Sequence, residues 1–254
     1  MATHPMTTMR AVLLLPFLAA CFNHPQFVAN KVIEAEVPAV AVQQLVCESH
    51  NGDIEATGAP AETIVLRVEM SVRGMTQEEA DANLQLLELG REKVGDRLRL
   101  FGKYPANALD NRSPSFAFTL IVPARLALHL ESHNGDIVAR SVGGTVVATT
   151  HNGRIQAELA GAKVALKTHN GDVQLRLEGT APLDGTVESH NGEVGILFGS
   201  GRAAAIAANT HNGRITTGGQ VRVLEKGEDS LRGQVGEGGG KLTVTTHNGD
   251  ITLQ

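Results

Sequence analysis

The chain of 254 residues is long enough for one or two domains with a sizeable buried core. Its 22 basic against 27 acidic residues leave a formal net charge of −5, which excludes the clustered Lys and Arg that a nucleic-acid partner requires. Aromatic residues at 3%, with no Trp and one Tyr, exclude stacking platforms for bases or sugars, and two cysteines exclude a disulfide scaffold.

The amino terminus reads as an address. Arg10 supplies a positive region, Ala11 to Ala20 form a short apolar run, and small residues precede Cys21. That order is the grammar of a secretory signal, and the run is too short to span a bilayer. Leu18-Ala19-Ala20-Cys21 resembles the bacterial lipobox. The resemblance implies cleavage before Cys21, lipidation of that cysteine, and attachment to a membrane through acyl chains. Phe22, where an aspartate would favour the inner membrane, implies the outer membrane of the cell envelope. Residues 1–20 are therefore expected as a signal peptide and 21–40 as a tether.

Residues 41–254 are expected to form one all-β domain with a helix-bearing insertion. The first strand-like run is Ile64 to Val72. Thr76 and Glu79 form a candidate capping box, with Ala80, Leu84 and Leu87 on one face and Gly90 as a stop, which predicts a helix over 77–89. Leu98 to Phe101 and Phe116 to Val122 read as strands, and 103–114 as an exposed loop.

A repeat governs the remainder. His-Asn-Gly begins at His50, His133, His151, His169, His190, His211 and His247, with spacings of 83, 18, 18, 21, 21 and 36. Ser or Thr precedes every one of these histidines. An apolar residue stands three positions before, and Ile or Val four positions after. The alternation is the period-2 mark of half-buried strands, and Asn-Gly marks a turn whose glycine, and less readily its asparagine, accepts positive φ. Antiparallel hairpins would also fit the Asn-Gly turns locally, but units of strand, turn, strand and turn, copied every 18–21 residues, favour a parallel β-solenoid with a thin aliphatic core. Residues 219–240, rich in glycine, read as a degenerate coil of the same stack.

The recurrent Asn-Gly-Asp-Ile signature, Val122-Pro123 leading into the repeats, and the helix-bearing segment before them resemble the bacterial "putative adhesin" family. The resemblance covers about residues 41–254. It implies a secreted or membrane-attached β-solenoid with a surface-binding role and no catalytic residues. The family commonly carries Val, Ser or Thr where this chain repeats His.

Parity places the Ser and Thr positions inward and the histidines outward. Stacked coils would bring successive imidazoles to about 4.8 Å, beside a second column at the third residue after each His, which includes Asp136, Asp172 and Asp250. Three readings follow for this face. The histidines are turn residues that stack on one another, or zinc or copper ligands completed by those aspartates, or a pH sensor built from adjacent imidazoles. Ser132, His133 and Asp136 cannot converge as a hydrolytic triad, because they follow one another along one strand. A single carboxylate per motif does not make a calcium loop. Cys47 occupies an inward position and reads as an inert buried thiol. The functional expectation is a non-enzymatic envelope lipoprotein, without a required cofactor, that presents its repeated face to an envelope or surface partner; metal binding or pH sensing by the His column is the alternative.

Overall fold

The structure is a computed structural model, and it describes residues 25–105, 109 and 111–254. Residues 1–20, expected as a signal peptide, and Cys21 lie outside the described residues.

The first part comprises β1 (Phe27–Pro38), β2 (Gln44–Asn51), β3 (Ile54–Ala59), β4 (Thr63–Gly74), α1 (Gln77–Leu84), β5 (Glu88–Val94), β6 (Arg97–Lys103) and β7 (Ser115–Pro123). Strand pairs follow: β8 (Ala127–Asn134) with β9 (Ile137–Val142), and β10 (Val146–Asn152) with β11 (Ile155–Leu159). Next come β12 (Lys163–Asn170), β13 (Val173–Leu177), β14 (Asp184–Asn191), β15 (Val194–Phe198), β16 (Ala204–Asn212) and β17 (Ile215–Thr217). The chain closes with β18 (Val221–Lys226), β19 (Ser230–Val235), β20 (Lys241–Asn248) and β21 (Ile251–Leu253).

These strands build two sheets. One has the order β1-β4-β7-β3-β9-β11-β13-β15-β21-β17, and the other β18-β19-β16-β20-β14-β12-β10-β8-β2-β6-β5. The all-β class, its one helix among the described residues and its parallel-rich stacking agree with expectation. At each His-Asn-Gly the chain leaves the second sheet and enters the first. Alternate residues of the two sheets face each other and are buried: Leu130, Ala148 and Leu166 meet Ile137, Ile155 and Val173. That shared aliphatic layer is what parallel neighbours bury and no single rung could bury alone.

The order of the rungs departs from chain order. The motif asparagines align as Asn51↔Asn134, Asn134↔Asn152, Asn152↔Asn170 and Asn170↔Asn191, after which Asn191 pairs with Asn248 and Asn248 with Asn212. The carboxy-terminal strands are therefore inserted: β20 lies between β14 and β16, and β21 between β15 and β17. Residues 219–240 are not a coil of the stack. They contain the hairpin β18–β19, which is antiparallel and packs along β16. The hairpin occupies the outer side of β16 and so leaves the inner slot for β20.

Residues 27–38, expected as part of a tether, are instead an edge strand. β1 pairs antiparallel with β4 from Phe27↔Gly74 to Pro38↔Thr63. The cause is visible in Ile33-Glu34-Ala35-Glu36-Val37, whose apolar members pack on the core while the glutamates face solvent.

The helix is shorter than 77–89. Its start is as expected, with Thr76 Oγ1 accepting the Glu79 N–H at 3.1 Å, while the Glu79 carboxylate accepts the N–H of Met75 at 2.8 Å. It ends at Leu84 because Gln85, Leu86 and Leu87 donate to carbonyls three residues back, a tightened turn that carries Leu87 into the core. Gly90, expected as the stop, lies within β5 opposite Phe101, whose ring occupies the space a Cβ would need. In the segment read as an exposed loop, Leu109 is buried and Arg112 Nε bonds to Glu79 at 2.7 Å.

Arg202, in the connection before β16, is fully buried. Its guanidinium donates to the carbonyls of Ala181 (2.8 Å) and Leu159 (3.2 Å), and no carboxylate pairs with it among the described residues. Burial lowers its pKa from the ordinary value.

Candidate functional site

The corner carrying each histidine is held by three side-chain ladders. The Ser or Thr before the His points inward and donates to the carbonyl of the motif glycine in the neighbouring rung: Ser132 to Gly52, Thr150 to Gly135, Thr168 to Gly153, all at 2.8–3.1 Å. The ladder continues through Ser189, Thr246 and Thr210, and at its first rung Ser49 donates to Phe116 O. Each buried hydroxyl thereby has a partner, as burial requires.

The motif asparagines form the second ladder. Each Nδ2 donates to the Oδ1 of the next rung at 2.7–2.8 Å, from Asn212 through Asn248, Asn191, Asn170, Asn152 and Asn134 to Asn51. None of these asparagines has a positive φ. The amide is present because its donor and acceptor repeat at the rung spacing, and not for turn geometry.

Asp53, Asp136, Asp172 and Asp250 form the third. Each Oδ1 accepts a backbone N–H from the equivalent residue one rung on, at 2.7–2.9 Å. Asp136, Asp172 and Asp250 thus lie beyond the corner and are engaged with Arg154, Glu193 and Arg214. The carboxylates on the histidine face are Glu48, Glu131 and Glu188, two residues before the histidines and on the same side of the strand. Among the described residues no three His, Cys, Asp or Glu side chains converge as a metal cluster.

Above these ladders His50, His133, His151, His169, His190, His247 and His211 stand in one exposed file. Their ring centroids are 4.7–4.9 Å apart. Most neighbouring rings are nearly parallel, within 11°, but His133–His151 and His151–His169 are tilted by 52° and 37°. The file walls two open grooves of about 630 and 570 Å³, which share Lys167 and His169 and so run on into each other. One end is closed by Arg99, Phe101, Tyr104 and Phe116. There Arg99 lies 4.1 Å from the Phe101 ring centre and grips Glu48 with two hydrogen bonds, of 2.9 and 2.7 Å. The Arg99 bonds hold the Glu48 carboxyl below its ordinary pKa.

Ser132 points into the core and His133 out of it, so the two side chains diverge. Burial, and then the charge of Glu48, raise the Cys47 thiol well above its usual range, which keeps it protonated and unreactive.

Loss of water around the packed ring, followed by repulsion from His190 and His151, lowers the pKa of His169 below 6.5. The unfolded chain therefore takes up this proton first. The contribution of His169 to stability is complete above the ordinary histidine value and is lost as pH falls from there through the lowered value of the folded chain. Urea midpoints between about pH 8 and about pH 5 should decline on the acid side, and His169→Thr should flatten part of that decline. An unchanged slope in the variant would mean that the neighbours do not affect this ring.

The family described as Toastrack DUF4097 matches residues 17–254. No curated protein matches the chain. Among solved structures, a "putative cell adhesion protein" from Clostridium sporogenes ATCC 15579 shares the fold, with a TM-score of 0.53 at 14% identity over 89% of this chain and 99% of that one. A "putative adhesin" from Bacteroides fragilis NCTC 9343 aligns at 11% identity over 88% and 97% of the two chains, with a TM-score of 0.38. A "putative lipid binding protein" from Parabacteroides distasonis ATCC 8503 aligns at 10% identity over 89% and 96%, with a TM-score of 0.33.

Proposed function

The chain belongs to the Toastrack DUF4097 family, and from that premise we propose that it is a non-enzymatic cell-envelope scaffold. In this reading the chain is lipid-anchored through Cys21 at the outer membrane and offers its histidine-lined face to an envelope or surface partner. One observation carries the proposal: seven copies of one exposed side chain stand in a single file about 29 Å long, over three ladders that fix every rung. A rigid periodic face suits many weak contacts with a repetitive partner better than it suits chemistry at one point. The adhesion description of the Clostridium relative supports the same direction. Among the described residues no helix is long and apolar enough to cross a membrane, so in this proposal the hold on the bilayer falls to the acylated cysteine. β1 begins at Phe27, and an anchor at Cys21 would keep that edge within about 20 Å of the membrane.

Two measurements test the proposal. Expressed in a bacterium with an outer membrane, the chain should fractionate with that membrane and carry acyl chains, while Cys21→Ser should be released. Beads displaying many copies should bind purified envelope fragments, and the combined substitution by Glu of Thr149, Asn209 and Thr245, which line the grooves two residues before their histidines, should abolish that binding. A soluble wild-type chain would remove the anchor from the proposal, and unaltered bead binding would move the contact off this face.

A further inference from the structure

We propose that the histidine file is a strip for borderline divalent cations, zinc or copper, taken between neighbouring rungs, with His133 and His151 as the leading site and Glu131 as the carboxylate beside it. This inference does not depend on the scaffold reading.

Donor chemistry comes first. Neutral imidazole is a strong ligand for both ions, and its lone pair lies in the ring plane. Among the described residues one hydrogen bond joins a ring of the file to the protein, from His151 Nδ1 to Asn152 Oδ1 at 3.2 Å. The other ring nitrogens of the file make no hydrogen bond to the protein among the described residues.

Spacing comes second. An ion bound at about 2.0–2.1 Å needs its two nitrogens no more than about 4.2 Å apart. Rings 4.7–4.9 Å apart meet that limit only if they lean toward each other. His133 and His151 are the most inclined pair, at 52°, and so have already left the face-to-face stacking in which two in-plane lone pairs run parallel and cannot meet at one ion. The Ser/Thr and Asn ladders hold both backbones, so only side-chain torsions have to change.

Local charge selects the same pair. Glu131 shares the groove with His133 and His151 and has no ion pair among the described residues. Glu48 is bound by Arg99, and Glu188 by Lys167, which lines the groove together with His169. Cation binding is thus favoured at the Glu131 rung and opposed at the Lys167 rung. Two imidazoles without a converging third ligand leave the remaining positions to water, with Glu131 acting through its charge, so the ion would be exchangeable and not a folding element.

The test is titration of the untagged chain with zinc sulfate and copper sulfate, followed by heat and by two-dimensional NMR, at about pH 7.5 and about pH 5.5. Micromolar binding at the higher pH, lost at the lower, is expected. The first resonances to shift with zinc, or to broaden with paramagnetic copper(II), should be those of His133 and His151. His133→Thr/His151→Thr should weaken the first ion at least about tenfold, and Glu131→Gln should weaken it less, with both variants retaining the wild-type β spectrum. Absence of both heat and shifts overturns the proposal. So does binding that the double variant leaves unchanged, since the ion would then sit elsewhere.

Discussion

A chain ending at residue 240 will lose the cooperative fold of its carboxy-terminal half, and not merely its last rung. In a stack that follows chain order, the final coil has one neighbour, and its removal costs only that interface. Here β20 stands between β14 and β16, and β21 between β15 and β17. Truncation removes the buried side chains Leu242, Val244, Ile251 and Leu253. At ~1.5–3 kcal/mol each, their burial amounts to about 6–12 kcal/mol, against a total stability of about 5–15 kcal/mol for an ordinary domain. The cut also removes the Gly249 carbonyl that accepts Thr210 and the Asn248 amide that joins Asn191 to Asn212. β16, β17 and the β18–β19 hairpin then have no sheet to join. Urea denaturation of the truncated chain should show a smaller slope and an earlier midpoint, and hydrogen exchange should find residues 204–235 unprotected. A midpoint and slope like those of the full chain would restore the sequential order.

The inserted order of the last rungs is not legible in the sequence, because the inward positions of every rung are filled by aliphatic residues of the same kind. The inward residues Val187, Ala208 and Val244 are interchangeable as neighbours, and the motif around each is the same. What parity dictates was legible: alternate residues had to be apolar, the Ser and Thr had to face inward, and the histidines outward. The role of the asparagines was legible only in part. Their side chains matter because of what lies one rung away, which becomes visible only after parallel stacking is known. The same holds for Asp136, Asp172 and Asp250, which serve a backbone N–H across the corner while Glu131 takes the face beside the histidines. Edge strands were obscured by their own charges. β1 contains Lys31, Glu34 and Glu36, and β5 contains Arg91, Glu92 and Lys93, polar residues that keep an open edge from pairing with another chain and that also blur its alternation. Buried Arg202 had no local signal, since its partners are carbonyls of two distant segments.

The motif glycines separate two explanations most sharply. Gly52, Gly171 and Gly249 have positive φ, of 129°, 158° and 153°, and a Cβ there would also overlap backbone of the neighbouring rung. Gly135, Gly153, Gly192 and Gly213 have no such torsion, yet glycine is repeated there as well. At each of them a Cβ would overlap the carbonyl oxygen of the motif glycine one rung away, as Gly153 would meet Gly135. That carbonyl also accepts the Thr150 hydroxyl, so it cannot yield without breaking the buried ladder. Gly153→Ala should therefore cost about 3 kcal/mol or more, the range of overpacking against backbone together with a lost buried hydrogen bond. Gly95 is the control, with φ of 61° and nothing within 4 Å of its missing Cβ. Gly95→Ala should cost only the ~1 kcal/mol of a left-handed alanine. Urea midpoints of the two variants give the comparison directly, and a Gly153 variant no weaker than the Gly95 variant would refute the stacking explanation. The outcome bears on the histidine face too. Gly135 and Gly153 set the approach of the rungs that carry His133 and His151. A methyl group wedged between those rungs should displace the two rings and weaken zinc at their site before it affects the distant end of the file.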